Sequence, residues 1–177
     1  SNSSSTDVYN TAVGYLAGSA VTTGVKNTLI GGLAADNLTT GKNNVAVGYQ
    51  ALETEDTGDR SVAIGSFTLK TQNNDADNYN TAVGYAAGLS ITTGTANVLM
   101  GGLSGDAITT ASNNVAMGHT SLGATTTGAN NVAIGADALA ANTTASNNTA
   151  VGKSALAANT TGTENTAVGA LSLDACT

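Results

Sequence analysis

A glycine recurs at a fixed interval from one end of this chain to the other, and that interval restricts the possible folds more than any other feature. The glycines are Gly14, Gly31, Gly48, Gly65, Gly84, Gly101, Gly118, Gly135, Gly152 and Gly169, spaced 17 residues apart except for one step of 19. Each closes a phrase such as Asn10-Thr11-Ala12-Val13-Gly14 or Asn131-Val132-Ala133-Ile134-Gly135. A period this strict is the mark of a solenoid, in which each repeat buries its apolar side only against its neighbours. The expectation is an all-β solenoid of ten coils over residues 8–177, with 1–7 as a linker-like or tag-like leader and one irregular coil at 61–79.

Reading down the repeat gives columns. The residue before each motif glycine is bulky: Val13, Ile30, Val47, Ile64, Val83, Met100, Met117, Ile134, Val151 and Val168. Thr or Val stands two residues earlier, on the same face of an extended strand because side chains alternate. Between them runs a small column, Ala12, Leu29, Ala46, Ala63, Ala82, Leu99, Ala116, Ala133, Ala150 and Ala167. A strand apolar on both faces implies cover on both sides. The bulky column is expected to fill the core, and the Ala column to pack against partner chains.

A second pattern compensates within each coil. Leu stands four residues after the glycine in six coils (Leu52, Leu69, Leu122, Leu139, Leu156, Leu173), and Gly18, Ala35, Gly88 or Gly105 in the rest. In those four coils alone the seventh residue becomes aliphatic: Val21, Leu38, Ile91 and Ile108. Each coil thus owes the core one large side chain, from either end of a second short strand. Thr-Thr pairs follow, with Gly24, Gly41, Gly58, Gly94, Gly128 or Gly162 near them to supply a positive φ at the turn. The leading Asn of the phrase forms a column able to pass hydrogen bonds between coils. Two strands and two turns per coil describe a parallel β-roll.

Composition narrows the functions. Charged residues make up only 10% of the chain and the net charge is -7, with five basic side chains. Phosphate backbones and anionic membrane surfaces therefore find little to pair with. No run of 18 apolar residues and no positively charged apolar leader is present. The single Cys176 has no intrachain partner for a disulfide.

Arg60-Ser61-Val62-Ala63-Ile64-Gly65 and Asn130-Asn131-Val132-Ala133-Ile134-Gly135 resemble the head repeat of trimeric autotransporter adhesins. The phrase from Asn148 through Leu156, followed by Asn159-Thr160-Thr161-Gly162, is also similar to repeats of phage tail-fibre-like and bacterial surface proteins. The resemblance covers residues 8 to 177. It implies a left-handed parallel β-roll wound as a homotrimer, outside the cell or on a virion fibre, attaching to a host receptor, extracellular matrix or glycan surface.

The residues themselves offer little chemistry. His119 occupies the position of Tyr15, Tyr49 and Tyr85, one past the motif glycine, and no base or nucleophile accompanies it. No catalytic residue, cofactor or metal site is expected. Glu53, Glu55, Asp56, Asp59, Asp75 and Asp77 crowd the irregular coil without the spacing of a calcium loop, and read as a solvated acidic bulge. The ligand-facing candidates are Tyr15, Tyr49, Tyr85, Asp75 and Asp77, the exposed departures from monotony. The Thr-Thr column raises a rival, an ice-binding face, and an inert spacer is a second alternative.

Overall fold

The computed structural model describes residues 8–174. Over these the chain is all-β, with ten three-residue strands and no helix. They are β1 (Thr11–Val13), β2 (Thr28–Ile30), β3 (Val45–Val47), β4 (Val62–Ile64), β5 (Thr81–Val83), β6 (Val98–Met100), β7 (Val115–Met117), β8 (Val132–Ile134), β9 (Thr149–Val151) and β10 (Thr166–Val168). All pair in parallel, in chain order, within one sheet. The register keeps every column intact, as in Thr28 with Val45, Leu29 with Ala46 and Ile30 with Val47. The 17-residue solenoid read from the glycines is thus the fold. The leader at 1–7 and Cys176 lie outside the described residues.

The second strand expected in each coil does not form. The residues after the motif glycine are turns, because two of them take left-handed backbone angles: Leu33 (φ 58) and Ala35 (φ 45), or Gln50 (φ 53) and Leu52 (φ 56). Hydrogen bonds still run from coil to coil across this wall, from Ala35 N to Ala51 O at 2.9 Å and from Leu52 N to Thr68 O at 3.0 Å. Each coil is a single sheet strand backed by a hydrogen-bonded wall of turns.

That thin cross-section reverses the expected parity of the strand. The small column points inward: Leu29, Ala46, Ala63, Ala82, Leu99, Ala116, Ala133, Ala150 and Ala167 are buried, and only Ala12 in β1 is exposed. The bulky column points outward, with Ile30 at 38% and Met100 at 43% exposure. Assigning the Ala column to contacts between subunits is therefore wrong. The wall already delivers one large side chain per coil, Leu52, Leu69, Leu122, Leu139 and Leu156 or Leu38, Ile91 and Ile108, all fully buried. Opposite them the strand has room for a methyl group. Where Leu replaces Ala, the wall gives way: a Cβ on Gly88 would stand 2.8 Å from Leu99 Cδ1, and one on Gly105 2.9 Å from Leu99 Cδ2. Gly18 makes the same room for Leu29. Constant packing volume dictates both exchanges.

The turn glycines also act differently from expectation. Gly24 and Gly41 are not among the positive-φ residues; the left-handed corner residue is the one before the Asn, such as Lys26 (φ 62) or Asn43 (φ 57). Gly24 is required by proximity, since a Cβ there would lie 2.5 Å from Gly41 O.

Candidate interaction surfaces

The Asn column stitches the corner that precedes the sheet. Asn114 Oδ1 accepts from Asn131 N at 2.9 Å, while Asn114 Nδ2 donates to Gly128 O at 3.0 Å. The same pair of bonds recurs from Asn27 and Asn97. These amides are buried and serve the backbone, so the Asn that opens nearly every repeat phrase is structural.

Three surfaces remain. The first is the outer sheet face, paved by the Thr/Val column and the Val/Ile/Met column. Ten strands at about 4.8 Å and three residues at about 3.3 Å make it about 48 Å by about 10 Å. It is continuous along the whole stack, and no part of the described chain covers it.

The second lies at the corner where the strands end. Tyr15, Tyr49 and Tyr85 are exposed there, as the sequence indicated. Tyr49 and Tyr85 are joined by a residue that reading missed, the half-buried Phe67 of the intervening coil. Tyr49 and Phe67 meet edge to face at 5.5 Å between centroids, and Phe67 and Tyr85 at 5.8 Å. Lys70 Nζ stands 5.4 Å from the Phe67 centroid and 3.3 Å from Glu53 Oε2. Phe67 is the chain's only Phe, and that singularity was the available signal. Tyr15 lies outside this strip.

The third is the opposite corner, before the strands begin. Asp77 pairs with Arg60 and accepts from the Tyr79 hydroxyl at 3.0 Å, while Asp75 accepts from Thr57 Oγ1 at 2.6 Å. The tyrosine and aspartate candidates thus stand at opposite ends of the strands, and the structure does not bring them into one site.

Beneath that third corner lies a cluster that the acidic-bulge reading misplaced. Glu55 is fully buried. Its Oε1 accepts from Gly58 N at 2.8 Å, and its Oε2 from Gln72 Nε2 at 3.0 Å and Asn78 Nδ2 at 3.1 Å. Gln72 also donates to Ser61 Oγ and accepts from Asn80 Nδ2, both at 2.8 Å, filling the gap left where Ser61 interrupts the Asn column. The two extra residues are absorbed over 73–77, and an isolated bridge between Asp59 and Asp77 restores the coil. Asn78 is thereby turned inward onto Glu55. Among the described residues no Lys or Arg side chain forms an ion pair with it.

Burial raises the Glu55 pKa above its ordinary 4.5, opposed by the hydrogen bonds from Gln72, Gly58 and Asn74. A raised folded-state pKa gives stability that is fully present below 4.5 and lost as pH rises through the folded value. The protein is therefore expected to melt at higher temperature as pH falls from 7 toward 5, a dependence that Glu55→Gln flattens. Asp36 and Asp106, also raised first by desolvation, contribute in the same direction and remain in the variant. Calorimetric melts of both proteins across that range test this; parallel curves would contradict it.

His119 is exposed, with Thr120 Oγ1 3.4 Å from its Nδ1 and in contact with Asp137. Among the described residues no three His, Cys, Asp or Glu side chains gather as metal ligands, and no cavity opens. In the Thr-Thr column the first hydroxyl donates to the next coil's carbonyl, as from Thr22 to Thr39 O and from Thr109 to Thr126 O, each at 3.1 Å. No family model, curated protein or solved structure matches this chain.

Proposed function

We propose that this chain is a rod-like head or shaft segment of a homotrimeric surface fibre, an extracellular or virion structure whose work is attachment to a receptor or surface rather than catalysis. One observation carries the reading: an uncovered sheet face of Val, Ile, Met and Thr side chains runs the length of the solenoid. Unbroken patches of this size mark interaction sites. An elongated face of identical stacked columns suits side-by-side association of parallel copies, which buries all of it at once. The subunit contact therefore belongs to Val13, Ile30, Val47, Ile64, Val83, Met100, Met117, Ile134, Val151 and Val168, the column first assigned to the core. The trimeric number rests on the resemblance to adhesin head repeats.

Light scattering on the purified protein is expected to give about three times the 17.2 kDa chain mass. Ile134→Asp is expected to yield a folded monomer. Its side chain is 38% exposed in the single chain, whereas an assembly would bury an unpaired charge there at a cost of several kcal/mol. A wild-type chain that is a stable monomer would overturn the assembly. The ice-binding alternative has weaker support, because the Thr-Thr hydroxyls named above are spent between coils. Thermal hysteresis of the purified protein would reverse that ranking. Retention on cells or matrix separates an adhesive segment from an inert spacer.

A further inference from the structure

We propose that the strip formed by Tyr49, Phe67 and Tyr85 binds a neutral oligosaccharide chain lying along the solenoid axis. The proposal deepens the attachment reading and rests on it, but it does not require the trimer.

The strip is preassembled. Its rings come from three successive coils, and each edge-to-face contact holds its neighbour. Tyr49 also lies against the bare backbone of Gly32, where a Cβ would be 3.5 Å from its Cδ2. Aromatic side chains fixed in this way offer large contact area at little entropic cost. Tyr49 is 47% and Tyr85 60% exposed, and neither hydroxyl has a partner among the described residues. Ring faces that meet C–H groups, beside free hydroxyls, are what a sugar ring requires. Successive coils rise by about 4.8 Å, close to the length of one sugar ring in an extended chain. With no cavity at the strip, a polymer crossing several rings fits better than an enclosed small molecule.

Charge narrows the ligand further. The chain carries -7 overall, which disfavours anionic polymers. A cationic peptide would seek Phe67 and Glu53, but Lys70 already holds both. Lys70 further donates to Gln50 Oε1 at 3.3 Å, and Gln50 Nε2 donates to Glu53 Oε1 at 2.5 Å. The rim is therefore internally neutralised, and it presents polar groups suited to hydroxyls.

The test is a binding screen of the intact protein against glucans, mannans, galactans and N-acetylglucosamine oligomers, with sedimentation of the same samples. One neutral class should be retained. Tyr49→Ala and Tyr85→Ala should each weaken it by about tenfold or more, the scale of a Tyr hot spot, with sedimentation unchanged. The retained glycan should also perturb the intrinsic emission of the unaltered protein, which has five Tyr and no Trp. If the protein still coats cells or matrix but retains no neutral glycan, the strip is not the site and the attachment reading survives. If it attaches to nothing, both fail. Retention of only cationic peptides or anionic glycans, or alanine variants that change the sedimentation, would overturn the proposal.

Discussion

Gly101→Ala is expected to disrupt the middle of the stack, whereas Gly102→Ala, one residue on, is expected to leave the protein as stable as before or slightly more so. Gly101 has φ +133, and a Cβ there would stand 2.6 Å from the carbonyl oxygen and 2.7 Å from the carbonyl carbon of Gly118. Both atoms are backbone in the next coil, so no side chain can swing aside. Strain at such a φ costs about 1–3 kcal/mol by itself, and parting the two coils adds the loss of ladder bonds and core contact. A total of about 4 kcal/mol or more places this among the exceptional single substitutions. In a stack held by nearest-neighbour contacts it would also uncouple the coils on either side. At Gly102 the nearest atom to a new Cβ is His119 Cδ2, at 3.7 Å, and the backbone is not left-handed. There the only effect is a less flexible unfolded chain, worth about 0.4–1 kcal/mol in favour of folding. Urea titrations followed by circular dichroism would show a broadened, early transition for the first and a wild-type or later one for the second. Equal losses would mean that the glycine stack is not what limits the coil spacing.

Asn114→Ala is expected to destabilise by about 2–6 kcal/mol, although it removes only a small polar side chain. The variant strands two buried backbone groups, Asn131 N–H and Gly128 C=O, and each lost partner costs about 1–3 kcal/mol. Asn114→Asp should fare no better: it keeps an acceptor for Asn131 N but places a buried oxygen against Gly128 O. Hydrogen exchange is the sharper measurement, because the amide of Asn131 should lose protection first. A variant within about 0.5 kcal/mol of wild type, the range of ordinary surface changes, would show that water replaces the amide at this corner.

The repeat made the stack legible: the spacing of the glycines gave coil number and parallel order, and the exchange between Leu69 and Ile91 positions gave the buried wall. The direction of the strand is the reverse of the expectation, and the exceptions within the columns are what signal it. Leu29 and Leu99 each break the Ala column, and Gly18, Gly88 and Gly105 stand where the wall must thin to receive them. A residue whose enlargement is matched by a glycine elsewhere faces the core. The Tyr49, Phe67 and Tyr85 strip was half legible. The tyrosines share a column, but Phe67 sits one position on and reaches them only because the left-handed turn (φ 60) after the motif glycine brings it up between their coils.

By itself the sequence determined everything that depends on repetition: a 17-residue coil, parallel stacking, the glycine and Asn columns, and one large wall side chain per coil. Those features follow from identical neighbours meeting identical neighbours, so one coil is enough to state them. Tertiary structure decided which strand face turned inward and where the exceptions went. Both depend on the distance between sheet and wall, which left-handed turns shorten until only Ala fits opposite Leu. Glu55 shows the same division: its column is plain in the sequence and is buried in other coils too, as at Gln72, Thr125, Asn142 and Asn159, but one of the donors that satisfies its carboxylate, Asn78, comes from the two-residue insertion.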